Sequence, residues 1–219
     1  MKQPFFTDIR VLIWDFDGTL YKPNPELFHA VREAEYRAVM ECRGWTRDHA
    51  IDEFHSLYKV VTPSATKTVG RICGIPTAQA AVSLERYYDR RKFLARDQML
   101  IDLLKKFSNY QHFILANGVK KNLEKTLEVL GVPIQTFSEI VTSEVSGENK
   151  PSEHGFRYIL AQTGLPPENH LMIGDREAVD LAPAKKLGMK TCLVWSEVKS
   201  EVDDVTVPTV YDISKILEG

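Results

Sequence analysis

Short apolar runs that each lead into polar residues recur along the chain and alternate with segments of helical periodicity. The first run covers residues 9–14 and ends at Asp15. Later runs predict strands at residues 112–116, 139–142, 170–174 and 190–195. The helical segments between the later strands end before Gly131, Gly164 and Gly188. Such alternation predicts parallel βαβ units with right-handed crossovers, and therefore an α/β fold with a doubly wound, mainly parallel sheet.

A long stretch between the first two strands shows helical periodicity and no strand pattern. Its first helix is predicted to start with Asn24 as the N-cap and Pro25 at the first helical position, and to end at Gly44. A second helix is predicted from Thr46 to a break at Thr62-Pro63, with shorter helices after it. The stretch is therefore predicted to be all helical.

The helical stretch divides the chain into two predicted domains. Residues 1–21 and 96–219 would form the α/β core, and residues 22–95 an all-helical cap inserted after the first strand. Near the C-terminus, the polar stretch Glu197–Val207 predicts a solvated loop, and Tyr211–Leu217 a short strand or helix. A helical insertion beside a catalytic edge can close over a small substrate and exclude water from it.

Composition narrows the classes of partner. The 219 residues carry a net charge of -2 with a pI near 6.3, and no basic stripe points to nucleic acid. No run approaches the roughly 18 apolar residues of a membrane helix. Cys42, Cys73 and Cys192 lack C-x-x-C spacing, which predicts reduced thiols in the cytoplasm, without zinc or disulfides. We expect a monomer or homodimer.

The candidate chemistry begins with two carboxylates at the end of the first strand. Asp15 and Asp17 are two residues apart, and Gly18 allows the chain to turn sharply around a ligand. Paired carboxylates repel each other, so they favour a shared proton or a divalent cation such as Mg²⁺. An isolated D-x-D-G is more often a surface turn, so the interpretation depends on the rest of the chain.

Later strands of the predicted sheet also lead into polar residues. Asn117-Gly118 follows the second strand, and Gly174-Asp175 ends a later one, with Asp180 close behind. Lys150-Pro151 lies between them, before a helical segment. A parallel sheet would deliver all these residues to one edge, where open α/β sheets bind their ligands.

With these motifs in this order, the chain resembles the haloacid dehalogenase superfamily of phosphohydrolases. The resemblance implies that Asp15 is the nucleophile, which becomes an aspartyl phosphate, and that Asp17 is the general acid and base. It implies that Lys150 neutralises phosphoryl oxygens. It also implies Mg²⁺ bound by Asp15, Asp175 and the backbone carbonyl of Asp17, while Asp180 supports the metal's waters or Lys150.

The second motif departs from the family pattern at one position. The family has Ser or Thr before the asparagine, and this chain has Ala116. With Asn117 and Gly118, Ala116 is assigned to substrate binding, where backbone N–H groups still serve as donors. Loss of one hydroxyl donor to a phosphoryl oxygen costs roughly 2–4 kcal/mol of transition-state stabilisation.

The function that the resemblance implies is a Mg²⁺-dependent phosphatase acting on a small phosphorylated metabolite, such as a sugar phosphate, phosphoglycolate or a nucleotide. Phosphoryl transfer needs positioned charge more than unusual reagents, and the motifs supply that charge. A phosphomutase or phosphotransferase would use the same motifs. A third interpretation is a regulatory or binding protein of low activity, because Ala116 replaces the hydroxyl.

Overall fold

The computed structural model describes residues 6–61 and 64–218. The chain divides into two compact units. One consists of Met1–Lys22 with Ala95–Gly219, and the other of Pro23–Leu94. The described helices include none that is both long and apolar enough to cross a membrane.

The first unit is built on a six-stranded sheet in which every neighbouring pair is parallel. The strands are β1 Val11–Trp14, β2 Gln111–Leu115, β3 Glu139–Val141, β4 His170–Gly174, β5 Lys190–Val194 and β6 Val205–Val207. Their order in the sheet is β3-β2-β1-β4-β5-β6. The order runs outward in both directions from β1, which confirms the predicted α/β fold with a parallel sheet.

Strand register decides which residues meet at the carboxyl edge. Trp14, the last residue of β1, lies level with Ile114 of β2 and Ile173 of β4. The residues that follow these strands therefore emerge together. All residues of β1 and β4 are buried, as expected for central parallel strands covered on both faces.

Six α-helices of this unit lie in the described residues. They are α5 Gln98–Lys106, α6 Lys120–Leu130, α7 Ser143–Ser146, α8 His154–Thr163, α9 Ala182–Lys186 and α10 Ile213–Glu218. Phe156 and Ile159 of α8 pack with Ile13 and Met172 of the sheet in one buried core. A π-helical turn at Glu177–Leu181 leads into α9. The core thus holds fixed the strand ends that carry the polar motifs.

The prediction of a loop over Glu197–Val207 is wrong at its end, where β6 forms. Only three residues pair there, with Cys192 level with Val205. A strand this short shows no alternation in the sequence, and pairing to β5 stabilises it from outside. Asp204 supports the edge by accepting hydrogen bonds from the backbone and hydroxyl of Thr191. Beyond it, Tyr211–Leu217 takes the helical alternative.

The described part of the second unit contains four α-helices: α1 Pro25–Arg43, α2 Arg47–Val61, α3 Ala65–Cys73 and α4 Thr77–Leu84. The Asn24 side chain accepts a hydrogen bond from the Leu27 backbone at 2.8 Å, as an N-cap does. Gly44 ends α1 in a left-handed conformation, with φ at 68°. The predicted break at Thr62-Pro63 lies outside the described residues.

The prediction of reduced cysteines is wrong for two of the three. Cys42 of α1 and Cys73 of α3 form a disulfide, with their Cα atoms 5.7 Å apart. Their sequence separation of 31 conceals the pairing, because only the packing of α1 against α3 brings the sulfurs together. Cys192 is free and buried in β5.

Candidate active site

Three buried charges meet at the carboxyl edge of the sheet. The Nζ atom of Lys150 lies 2.6 Å from Asp15 Oδ1 and 2.6 Å from Asp180 Oδ1. The side chains of Lys150, Asp15 and Asp180 are at most 3% exposed. Asp175 joins this group, because one carboxylate oxygen from each of the three acids lies within 4.8 Å of the others. The structure therefore brings four of the sequence-predicted residues into one cluster.

Asn117 holds Lys150 by its backbone. The Asn117 side chain donates to the Lys150 carbonyl at 2.8 Å, and the Lys150 backbone N–H donates to Asn117 Oδ1 at 2.7 Å. A carboxamide can make both bonds at once because it carries a donor and an acceptor. Its side chain thus positions the lysine.

The other two residues of the second motif lie at the same edge. Ala116 is 3% exposed, and its backbone N–H donates to the carbonyl of Val141. The backbone N–H groups of Asn117 and Gly118 have no acceptor among the described residues. Two adjacent N–H groups without acceptors are the kind of donors that bind phosphoryl oxygens.

Two glycines let the acids come this close. A Cβ on Gly18 would lie 2.5 Å from Asp175 Oδ2, and the backbone there has φ at +89°. A Cβ on Gly174 would lie 2.6 Å from the Cβ of Asp180. Neither distance is tolerated between real atoms, so these positions require glycine on grounds of space.

Asp17 differs from Asp15 in its surroundings. Asp15 is buried, whereas Asp17 is exposed and accepts a hydrogen bond from the hydroxyl of Tyr21. The Thr19 hydroxyl donates to Asp15 Oδ2 at 3.1 Å. The Trp195 indole donates to the Thr19 carbonyl at 3.1 Å, from a backbone with φ at 60°. Thr19 is thereby held both by Asp15 at the start of the loop and by Trp195.

The pKa shifts of Asp15 and Lys150 keep both side chains charged. Burial would raise the pKa of Asp15, but the positive charges of Lys150 and Arg176 outweigh it, and that pKa lies below its usual range. Burial would lower the pKa of Lys150, but Asp15 and Asp180 raise it. Asp15 is therefore an ionised carboxylate beside a cationic lysine.

The pKa values of the other two acids of the cluster, Asp175 and Asp180, are raised. Burial, reinforced by the negative charges of Asp15 and Asp180, raises the pKa of Asp175 to about 8. Burial likewise raises the pKa of Asp180. Acids gathered in this manner favour a cation among them.

The acid cluster fits a divalent metal. Asp175 Oδ1 is a buried oxygen without a hydrogen-bond partner among the described residues. An orphaned carboxylate oxygen near two other carboxylates is the donor set that Mg²⁺ prefers. Asp180 uses one oxygen for Lys150 and the other for the Arg176 backbone, and Asp15 uses its two for Lys150 and the Thr19 hydroxyl. Asp175 is therefore the acid of the cluster with an oxygen left for a cation.

Sequence reasoning missed the roles of several neighbours. The sequence assigns no role to the hydroxyls of Thr19 and Tyr21, which donate to Asp15 and Asp17. Arg176 carries the one signal that was available, a cation directly after a motif aspartate. Trp195 is 176 residues from Thr19, and no local pattern links the two.

Comparison with known proteins places this geometry in a family. Residues 9–188 match the model of the haloacid dehalogenase-like hydrolases. The chain is 33% identical over 135 residues to a glyceraldehyde 3-phosphate phosphatase of Methanothermobacter thermautotrophicus, covering 58% of each chain. It is 30% identical over 117 residues to a phosphoglycolate phosphatase of Aquifex aeolicus, covering 52% of this chain and 54% of the relative. These matches span little more than half the length of either relative.

Solved structures show the same fold over nearly the whole chain. A HAD phosphatase from Thermococcus onnurineus superposes with a TM-score of 0.70 at 21% identity, covering 96% of this chain and 99% of that one. The HAD-hydrolase YfnB from Bacillus subtilis, solved with bound magnesium, gives a TM-score of 0.65 at 19% identity over 96% and 99% of the two chains. The family match over residues 9–188 establishes that the chain belongs to the haloacid dehalogenase-like hydrolases.

Proposed function

We propose that the protein is a Mg²⁺-dependent phosphatase that hydrolyses a small phosphomonoester through an aspartyl phosphate on Asp15. The observation that carries the proposal is the bridge from Lys150 to Asp15 and Asp180, with contacts of 2.6 Å, beside the unpartnered oxygen of Asp175. An ionised carboxylate beside a buried cation is an activated nucleophile for phosphorus. The named phosphatases among the relatives support the same reaction class.

The first half-reaction forms the covalent intermediate. Asp15 attacks phosphorus, the bond from phosphorus to the leaving oxygen breaks, and Asp17 gives its proton to that oxygen. The exposed position of Asp17 at the end of β1 suits a group that must reach the leaving alcohol. Lys150 and the backbone N–H groups of Asn117 and Gly118 neutralise the equatorial oxygens.

The second half-reaction restores the enzyme. Asp17, now ionised, takes a proton from water, which attacks phosphorus and releases Asp15 and phosphate. Mg²⁺ held by Asp15, Asp175 and the Asp17 carbonyl would supply further charge neutralisation at the phosphoryl group. Asp180 keeps Lys150 directed at Asp15 throughout, because it binds the same Nζ atom.

The proposal extends to the class of substrate, the compartment and the oligomeric state. The helical unit Pro23–Leu94 is proposed as a cap that selects small, soluble phosphate esters over proteins. Glyceraldehyde 3-phosphate and phosphoglycolate, the substrates named for two relatives, are the first candidates. We propose that the protein acts in the cytoplasm as a monomer or homodimer. Thiol reductants there would open the accessible Cys42–Cys73 bond, so both redox states need to be assayed.

A low-activity regulatory protein is the second candidate, and the specific observation in its favour is Ala116. Its buried methyl group stands where the family pattern has a hydroxyl. The intact Lys150–Asp15 pair opposes this alternative, since a protein that had lost catalysis would have no need to retain a buried charge of this kind. A phosphomutase would leave the cluster unchanged and differ only in the acceptor.

Phosphate release from a panel of phosphorylated metabolites tests the proposal. Wild-type protein should release phosphate with Mg²⁺, lose that activity in EDTA, and regain it when Mg²⁺ is returned in excess. Activity retained in EDTA by metal-free protein would contradict the metal assignment. Transfer to a sugar acceptor without free phosphate would indicate the phosphomutase, and absence of turnover across the panel would favour the regulatory protein.

A further inference from the structure

Arg176 follows Asp175 at the carboxyl edge of the sheet and is not used by the reaction as described. Its Nε atom lies 3.9 Å from Asp175 Oδ1 and 3.9 Å from Asp180 Oδ2. Both distances exceed hydrogen-bonding range. The guanidinium donates no hydrogen bond to any residue in the described part of the chain, and 38% of the side chain is exposed. A partly exposed cation with its full set of donors therefore lies beside two acids of the site.

The backbone of Arg176 is nevertheless fixed. Its N–H donates to Asp180 Oδ2 at 3.1 Å, and its carbonyl accepts from the Asp180 backbone at 2.9 Å. The backbone of Arg176 is therefore fixed, while its guanidinium makes no hydrogen bond to the described residues. This combination is suited to binding a ligand, because the base is preorganised and the donors are available.

A purely structural role would predict a different geometry. An arginine that only balances buried acids usually closes its planar fork on a carboxylate, at about 2.7–2.9 Å. Here the guanidinium stays equidistant from two carboxylates and bonds to neither. One of those acids, Asp175, is also the proposed metal ligand, so a bound cation would further weaken its attraction for Arg176.

We propose that Arg176 is a specificity-determining residue that binds a second anionic group on the substrate, next to the phosphate that reacts. This inference rests on the proposed phosphatase function and extends it. The class of substrate is a short phosphomonoester that also carries a carboxylate or a second phosphate, both of which match the planar fork of arginine. The substrate must be short because Arg176 Nε lies 3.9 Å from Asp175, a proposed metal ligand.

A matched pair of substrates isolates this contact. Phosphoglycolate and 2-hydroxyethyl phosphate share the phosphate and carbon chain, and differ in a carboxylate against an uncharged hydroxymethyl group. Wild-type kcat/KM should favour phosphoglycolate, and Arg176→Gln should lower that preference by about tenfold or more, the worth of a charge-assisted contact. Pyrophosphate in a third arm reports whether a second phosphate is accepted in place of the carboxylate.

Two further variants decide between specificity and charge balance. Arg157→Gln removes an exposed arginine of α8 that pairs with Glu153, and should leave the preference unaltered. Arg176→Lys keeps the charge but not the fork, and should lower the preference by roughly threefold or more. If the melting curve shows that Arg176→Gln fails to fold, Arg176→Lys replaces it as the test. Equal losses on both substrates in the folded Arg176 variants would overturn the proposal.

A binding measurement distinguishes an error in this inference from an error in the proposed function. Asp15→Asn protein should be titrated with both compounds in the presence of Mg²⁺, alone and combined with Arg176→Gln. Tighter binding of phosphoglycolate that disappears with Arg176→Gln supports the inference even if the wild type releases no phosphate. Equal affinity for the two compounds overturns it even if the wild type is an active phosphatase.

Discussion

One buried acid in each unit, Asp15 in the α/β unit and Glu35 in the helical unit, has its pKa shifted in opposite directions. In the α/β unit, Lys150 contacts two carboxylates at 2.6 Å, and the pKa shifts of Lys150 and Asp15 both favour the charged forms. In the helical unit, Glu35 pairs with Arg32 at 2.7 Å, and burial raises the pKa of Glu35 to about 7. The positive charges of Lys150 and Arg176 outweigh the burial of Asp15, whereas the single charge of Arg32 does not outweigh the burial of Glu35.

The units also differ in what holds them together. The α/β unit buries central parallel strands between helices, and its cysteine, Cys192, is free. The helical unit has a smaller core around Val39, Phe54 and Val69, tied by the Cys42–Cys73 disulfide. A small helical core gains more from a covalent link than a large sheet does, because it buries less apolar surface. The comparison therefore predicts that perturbations of charge affect activity in one unit and stability in the other.

The largest expected effect is on catalysis in the α/β unit. Asp15→Asn should reduce phosphatase activity by on the order of a thousandfold or more, since an amide is no nucleophile. Phosphate release measures the loss, and circular dichroism checks the fold. Asp102→Asn, on the exposed face of α5, is the matched control and should retain full activity. Appreciable turnover by pure Asp15→Asn protein would exclude the covalent mechanism.

The next effect concerns the disulfide of the helical unit. Cys42→Ser with Cys73→Ser should destabilise the helical unit by about 3–4 kcal/mol, because the bond closes a loop of 31 residues in the unfolded chain. Urea unfolding under non-reducing conditions measures the change. Adding reductant to the wild type should reproduce it, and Cys192→Ser provides a comparison at a free cysteine. Identical unfolding midpoints for oxidised and reduced wild type would show that the bond contributes nothing.

A third prediction uses the raised pKa of Glu35. The unfolded state ionises near the ordinary pKa of 4.5 and the folded state near 7, so stability is highest below pH 4.5 and falls as pH rises towards 7. The loss attributable to Glu35 is on the order of 3 kcal/mol. Glu35→Gln should remove this slope in unfolding experiments between pH 5 and pH 7.5. A wild type and variant with parallel pH profiles would contradict the assignment.

The smallest expected effect tests Ala116. Ala116→Ser should raise kcat/KM by about tenfold, because one good transition-state hydrogen bond contributes over 1.4 kcal/mol. Serine is a fairer replacement than threonine at this buried strand end, since it adds no branch at Cβ. An unchanged rate in a folded variant would mean that the backbone donors of Asn117 and Gly118 suffice, or that Ala116 does not face the phosphate.

Local patterns determined much of this protein. Apolar runs of four or five residues and glycines at helix ends are read from neighbouring positions, so β1, β2 and β4 and the helices α1 and α6 were predictable. The acids of the site were predictable for a related reason. In a parallel sheet, the residues that follow the strands lie at the same edge, so the sequence alone predicts that Asp15 and Asp175 lie close together.

Other features depended on tertiary structure, because they arise between residues far apart in the chain. The Cys42–Cys73 bond and the three-residue strand β6 both depend on a packing partner and leave no local pattern. So does the link from Trp195 to Thr19. The sequence shows that an arginine follows Asp175, but not how far its guanidinium lies from any acid. That distance decides whether the arginine hydrogen-bonds to a carboxylate or has its donors available for a ligand.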